Sequence, residues 1–193
     1  MAKVSDTASS TGTTTQISKV SPTKRKAAMA TNKSTLYPSK IDFSDATRAK
    51  LVDLCNQRLA DTSDLVSQVK QAHWNVKGPD FQQLHELFDA IHAALEPFVD
   101  VIAERATTLG GVALGTVRMA AKATSLKEYP DDIAAGKAHL EAVRDRVAAY
   151  AAANRQALEA SGKLDDPTTE DMFTEISRTV DLQLYFLESH LQG

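Results

Sequence analysis

Residues 81–105, FQQLHELFDAIHAALEPFVDVIAER, decide what this chain is built from. Phe81, Leu84, Leu87, Phe88, Ile91, Leu95 and Phe98 recur at steps of three and four, the period of an apolar stripe on an α-helix. Gly78-Pro79 precedes the stretch, and Asp80 is placed to cap it with Gln83 as a capping-box partner. The pattern runs to about residue 108 and closes at Gly110-Gly111. Pro97 removes one backbone donor, and the pattern continuing beyond it predicts a kink rather than an end.

The flanks read the same way. Leu51, Leu54, Cys55, Leu59, Leu65, Val66 and Val69 form the stripe of a first helix from residue 44 to about 75. After the second helix come about twenty residues with a short helix over 116–123. A third long helix is expected from about 132 to 161, on Leu140, Val143, Val147, Ala151 and Leu158, with Gly162 as its stop. Asp166-Pro167 supplies the N-cap and first turn of a fourth, on Phe173, Ile176, Val180, Leu184, Leu187 and Leu191. No strand pattern competes. The expected fold is all-α, a four-helix bundle over residues 41–193 with a short extra helix between helices 2 and 3.

Residues 1–40 differ from that body. They carry seven basic residues against Asp6, a charge of +6, while the remainder carries −9. Ser, Thr, Ala and Lys dominate residues 1–36, with few large apolar side chains, so this flexible basic arm cannot bury enough surface to offset its ordering entropy. Three readings stay open. Its acid-poor, Ser-rich character resembles an organellar transit peptide. It is also compatible with a solvated linker. As a cationic arm, Lys3, Lys19, Lys24, Arg25, Lys26 and Lys33 suit nonspecific contact with DNA phosphates, without aromatic side chains for base readout. No stretch approaches the roughly 18 uninterrupted apolar residues of a membrane span, so no membrane partner is expected. The single cysteine, Cys55, excludes an intrachain disulfide and reads as core packing.

The chemistry returns to the opening stretch. His85 and Asp89 are one helical turn apart, as are Asp100 and Glu104, all on one face of an otherwise apolar helix. His73 lies just before the Gly78-Pro79 turn, so an antiparallel hairpin sets it beside His85. The two pairs are centred fifteen residues apart, roughly 22 Å along a helix, too far for one metal with bonds of about 2 Å. Two copies of the helix packed antiparallel about a twofold near Ala94 would bring the pairs together, with Ala90, Ala93 and Ala94 where the backbones cross. Each resulting site has two histidines and three carboxylates, a donor set suited to iron with room for an oxidant. His92 lies on this face between the sites and reads as core or interface. His139 and His190 lack acidic partners at metal spacing.

Ala72-His73-Trp74-Asn75, His85-Glu86-x-x-Asp89 and Asp100-x-x-x-Glu104-Arg105, with their spacings, resemble the signature of the Dps family, ferritin-like DNA-protection proteins of starved bacteria. The resemblance spans about residues 41–192. It implies a twelve-subunit hollow shell whose intersubunit sites oxidise Fe(II), preferably with hydrogen peroxide and otherwise with oxygen, and which stores the ferric product inside. On it, His73, His85, Asp89, Asp100 and Glu104 match the iron ligands, and Trp74 the tryptophan beside the site. It further implies a cytoplasmic, nucleoid-associated protein active against oxidative stress. Pro97 departs from the pattern and bears on the approach of Asp100. The absence of any Glu-x-x-His separates the chain from ferritins with a site inside one bundle. In ferritin-like shells iron passes through pores near the turn into the fourth helix, which here holds Asp165, Asp166 and Glu170. The alternative for that turn is an Asp166 that only caps its helix. The alternative for the whole chain is a DNA-compacting protein with incidental iron binding.

Overall fold

The computed structural model describes residues 35–192, which form six helices. These are α1 (Asp45–Asn75), α2 (Phe81–Leu95), α3 (Pro97–Thr108), α4 (Val117–Ala123), α5 (Gly136–Gly162) and α6 (Pro167–Ser189). Among the described residues the sole β-type pairing is an isolated bridge between Lys77 and Ala135. The six basic residues named for DNA contact, Lys3 to Lys33, lie outside the described residues.

α1, the α2–α3 pair, α5 and α6 are the four long members of the expected bundle, and α4 is the short helix of the connection. α1 is central: it packs on α2, α3, α4 and α5, while α5 and α6 pair along their length. The core is one continuous cluster that includes Leu59, Leu65, Phe88, Ile91, Leu95, Val147, Tyr150, Phe173 and Ile176. Tyr150 is fully buried and its hydroxyl meets Thr62 Oγ1 at 2.7 Å, which satisfies the polar atom that this large ring brings inside. Cys55 is buried too, and burial pushes its thiol up to about 12. No described helix is long and apolar enough to cross a membrane.

The helix ends show where local chemistry and packing differ. Ser44 is extended (ψ 152°) and its hydroxyl accepts from the Thr47 amide at 3.1 Å, a working N-cap for α1. Asp80 does not cap α2, contrary to the sequence expectation. Its φ of −95° and ψ of 21° continue the turn begun at Gly78, so its carboxylate is not swung over the first amides. At Pro97 the structure goes beyond the expected kink: α2 ends at Leu95 and a separate α3 starts at Pro97. Glu96 keeps helical angles (φ −54°, ψ −42°) and its amide bonds His92, but Pro97 has no N–H to offer and α2 gives way to α3. α5 begins at Gly136, four residues later than the pattern suggested. Ala135 before it is extended (φ −67°, ψ 138°), and the Lys77 amide bonds the Ala134 carbonyl at 3.0 Å. Gly136 is where α5 crosses α2: a Cβ there would stand 2.6 Å from Leu84 Cδ1.

Residues 36–40, counted with the arm on sequence, are fastened to this body. The Tyr37 amide bonds the Gly110 carbonyl at 2.7 Å, and Arg48 reaches the carbonyls of Tyr37 (3.1 Å) and Leu109 (2.8 Å). Leu36 and Phe43 pack on the small cluster of Leu51, Val52 and Leu109. Gly110 permits this close approach: its φ is +86°, and a Cβ would lie 2.5 Å from the Arg48 guanidinium.

Candidate metal centre

His73 sits in the last turn of α1 and His85 early in α2, on either side of the 76–80 turn. The hairpin stacks their rings, centroids 3.7 Å apart and planes at 22°. Each Nδ1 lies against the other residue's backbone carbonyl, His73 to His85 at 2.8 Å and His85 to His73 at 2.9 Å. A carbonyl only accepts, so both Nδ1 atoms must donate. That fixes the tautomer and leaves the lone pair of each ring on Nε2, the arrangement that orients a histidine for metal ligation. The His73 side chain is only 12% exposed, so the stack is held by packing as well.

Asp89 follows one turn after His85 and is 54% exposed. One of its oxygens lies 3.9 Å from His73 Nδ1 and forms an ion pair with the Lys70 ammonium. The hydrogen bond from Lys70 holds the Asp89 carboxyl below its usual range, a slight desolvation opposes, and the charges of Lys70, His73 and His92 assist. Asp100 and Glu104 are exposed on α3 and have no hydrogen-bond or ion-pair partner for their carboxylates among the described residues. Arg105, the neighbour that could have made them a surface charge patch, turns inward instead. It bonds Thr169 at 2.8 Å and Asp166 at 2.7 Å. Among the described residues no three His, Cys, Asp or Glu side chains of one chain gather closely enough to hold a metal.

A model of the ferritin-like domain matches residues 52–193. Over 156 residues the chain is 41% identical to the DNA protection during starvation protein of Agrobacterium fabrum, spanning 81% of this chain and 96% of that protein. The chain belongs to the Dps family. Its fold is similar to that of DpsC from Streptomyces coelicolor, with a TM-score of 0.77 at 30% identity over 83% of this chain and 93% of that one. DpsA14 from the same organism gives 0.77 at 31% identity, covering 82% and 95%.

Within this Dps-family fold the other sequence candidates separate. Trp74 is 66% exposed immediately after His73, and the exposed Phe81 ring lies 5.1 Å from His85, so aromatic surface flanks the stack. His92 is half-buried one turn beyond Asp89. His139 is buried, with its Nδ1 2.7 Å from the Tyr129 hydroxyl, and desolvation pushes its pKa down. His190 is exposed and bonds the Phe186 carbonyl of its own helix. The pore reading needs a correction at Asp166. Its side chain is 1% exposed and its oxygens are occupied by Arg105, Thr169 Oγ1 and the amides of Thr168 and Thr169. Burial raises its pKa, but the bonds from Thr169 and Arg105 outweigh that and hold it below the usual value. Asp166 is therefore a cap and an ion-pair partner. Asp165 is exposed beside it, in the left-handed region at φ +56°, and Glu170 is half-buried.

Two contacts at the candidate residues were not read from the sequence. Lys70 lies one turn before His73 on α1, and that i, i+3 spacing was the available signal for its reach to the site. Arg105 gave no signal, because nothing local says which way a helix-borne guanidinium turns.

Proposed function

We propose that this chain oxidises Fe(II) and stores the ferric product in a shell of identical copies, at sites shared by two of them. His73, His85 and Asp89 come from one copy, and Asp100 and Glu104 from the second. The observation that carries this is the division of the donors: a preoriented histidine pair at one end of α2–α3 and two unpaired carboxylates at the other, with no complete set in one chain. A twofold antiparallel pairing of these helices completes both sites at once. Two Fe(II) ions each give up one electron, and together they break the O–O bond of one hydrogen peroxide. The protons lost from water as ferric oxyhydroxide forms leave to solvent. The residues contribute placement: Nε2 lone pairs for a borderline cation, and carboxylates that bind Fe(III) more strongly than Fe(II), favouring the oxidised state.

Consuming Fe(II) and peroxide together keeps them from damaging DNA, in keeping with the name of the Agrobacterium relative. The +6 charge of residues 1–40 supports direct, nonspecific binding of DNA, which the −9 body would repel. A twelve-copy shell, peroxide rather than oxygen as the preferred oxidant, and a place on the cytoplasmic nucleoid complete this reading. Asp165 and Glu170 remain its candidates for lining an iron pore.

The shared site has a direct test. One variant lacks His73 and His85, and the other lacks Asp100 and Glu104. A mixed pair carries one site with all four changes and one intact site, so co-assembled shells regain about a quarter of wild-type ferroxidase activity on random pairing. Mixed shells of confirmed composition that stay inactive would show the site is not divided between copies.

A further inference from the structure

Among the described residues, which include all four tyrosines, Tyr129 alone has a base at its hydroxyl. The oxygen lies 2.7 Å from Nδ1 of His139, and the structure gives the phenol no other acceptor. The phenol therefore donates, and His139 is the tautomer that carries its proton on Nε2. Nε2 makes no hydrogen bond of ordinary geometry, yet the backbone of Ile133 and Asn75 still favours a proton on the ring. Desolvation outweighs that influence and keeps the imidazole neutral, with a lone pair to offer. The Tyr150 hydroxyl meets only that of Thr62, and Tyr37 and Tyr185 are exposed.

Tyr129 is half-buried and forms part of the wall of a cavity of about 610 Å³, with Asp64, Gln68, Leu126 and Glu128. Gln68 and Arg146 are buried, and they bond the carbonyls of Lys127 and Glu128. The segment that carries Tyr129 is thereby fixed from α1 and from α5. Arg146 also stands over the Tyr129 ring, 5.8 Å from its centroid. Burial pushes the phenol well above its usual pKa, and Arg146 opposes this only in part. The ring therefore stays a neutral phenol, and losing an electron obliges it to lose its proton too. A phenol that has lost an electron is a strong acid, so even a weakly basic imidazole suffices.

We propose that Tyr129 and His139 form a radical-trapping pair, separate from the metal centre and independent of the iron chemistry proposed for it. A small radical entering the cavity takes one electron from Tyr129 and leaves as its reduced anion. The phenolic O–H bond breaks, the proton passes to Nδ1 of His139, and a neutral tyrosyl radical remains. The new Nδ1–H then donates back to the tyrosyl oxygen. A small one-electron donor such as aqueous Fe(II), drawn by the carboxylates of Asp64 and Glu128, returns the electron. The proton moves back from His139 to the oxygen, and the pair is restored. Each turn absorbs one oxidising equivalent.

The test uses the full chain, free of metal, with Tyr37→Phe and Tyr185→Phe removing the exposed tyrosines. Azide radicals made by pulse radiolysis oxidise it, and absorption and electron paramagnetic resonance follow the products. A tyrosyl radical forms in this background and is lost when Tyr129→Phe is added. His139→Gln slows its formation about a hundredfold, the lower end of what a positioned base contributes. Electron–nuclear double resonance on protein with isotopically labelled histidine shows the radical coupled to an imidazole nitrogen, which neither water nor packing alone would give. That coupling is read without any change at His139, so it decides the matter should His139→Gln not fold. Equal tyrosyl yield with and without Tyr129, an unchanged rate in a folded His139→Gln, or a Tyr129 radical without the nitrogen coupling would each overturn the pair.

Discussion

Asp166 ends one helix contact and begins another. Its carboxylate caps α6 through the amides of Thr168 and Thr169 and pins Arg105 of α3 against the same end of the bundle. Asn can replace the cap but not the charge. Asp166→Asn is therefore expected to lose about 2–3 kcal/mol in urea unfolding, the weight of a charge-assisted bond at a site with little water. The pH dependence has a definite sign. A carboxyl held below its ordinary 3.8 binds its proton less readily when folded, so its stabilisation is present above pH 3.8 and is lost as pH falls through the lower folded value. Wild type should lose stability over that acid range, and Asp166→Asn should show a flatter profile there. An equally steep profile in the variant would assign the acid sensitivity to other carboxylates.

At the scale of elements, identical-looking start signals behave differently. Ser44 and Asp80 both precede an apolar stripe, yet only Ser44 has the extended backbone that lets a side chain reach the first amides. Ser44→Ala should cost about 1 kcal/mol, and Asp80→Ala only a few tenths, in thermal or urea unfolding. Equal losses would mean Asp80 caps in solution after all. The long second helix also divides at Pro97, and the break separates the two halves of the candidate-ligand stripe, His85 and Asp89 on α2 from Asp100 and Glu104 on α3. An interruption at Pro97 was legible, though as a kink and not as the division into two helices, because a missing N–H is a local property. The late start of α5 was not, because the bond between Lys77 and Ala134 joins residues 57 positions apart.

The whole molecule joins an acidic bundle to a basic arm. Since Leu36 and Tyr37 already pack on the bundle, the arm can be cut only before them. Deleting residues 1–34 is expected to weaken DNA retention while leaving ferroxidase activity within about twofold, because no candidate ligand and none of the described residues is removed. Retention by the full chain should fall steeply with salt, on a log–log slope set by the number of phosphates neutralised. DNA retention that is insensitive to salt, or equal in the truncated chain, would show that the arm is a linker.

The sequence by itself determined the helices, their order and the five candidate ligands, because each of these is written in short-range periodicity. An apolar residue every three or four positions, a proline without its N–H and a histidine one turn from an aspartate all act within a turn or two of the chain. Even the expectation of a second copy follows from helix rise alone, since fifteen residues of helix cannot fold back on a single metal. Only the tertiary structure decided which side chains meet. It gave each histidine its donor nitrogen by crossing the carbonyls of His73 and His85, turned Lys70 onto Asp89, and buried Asp166 under Arg105. The physical reason is reach. A long charged side chain can serve solvent, a ligand or a distant helix at similar cost, and the choice is made by packing between elements far apart in sequence.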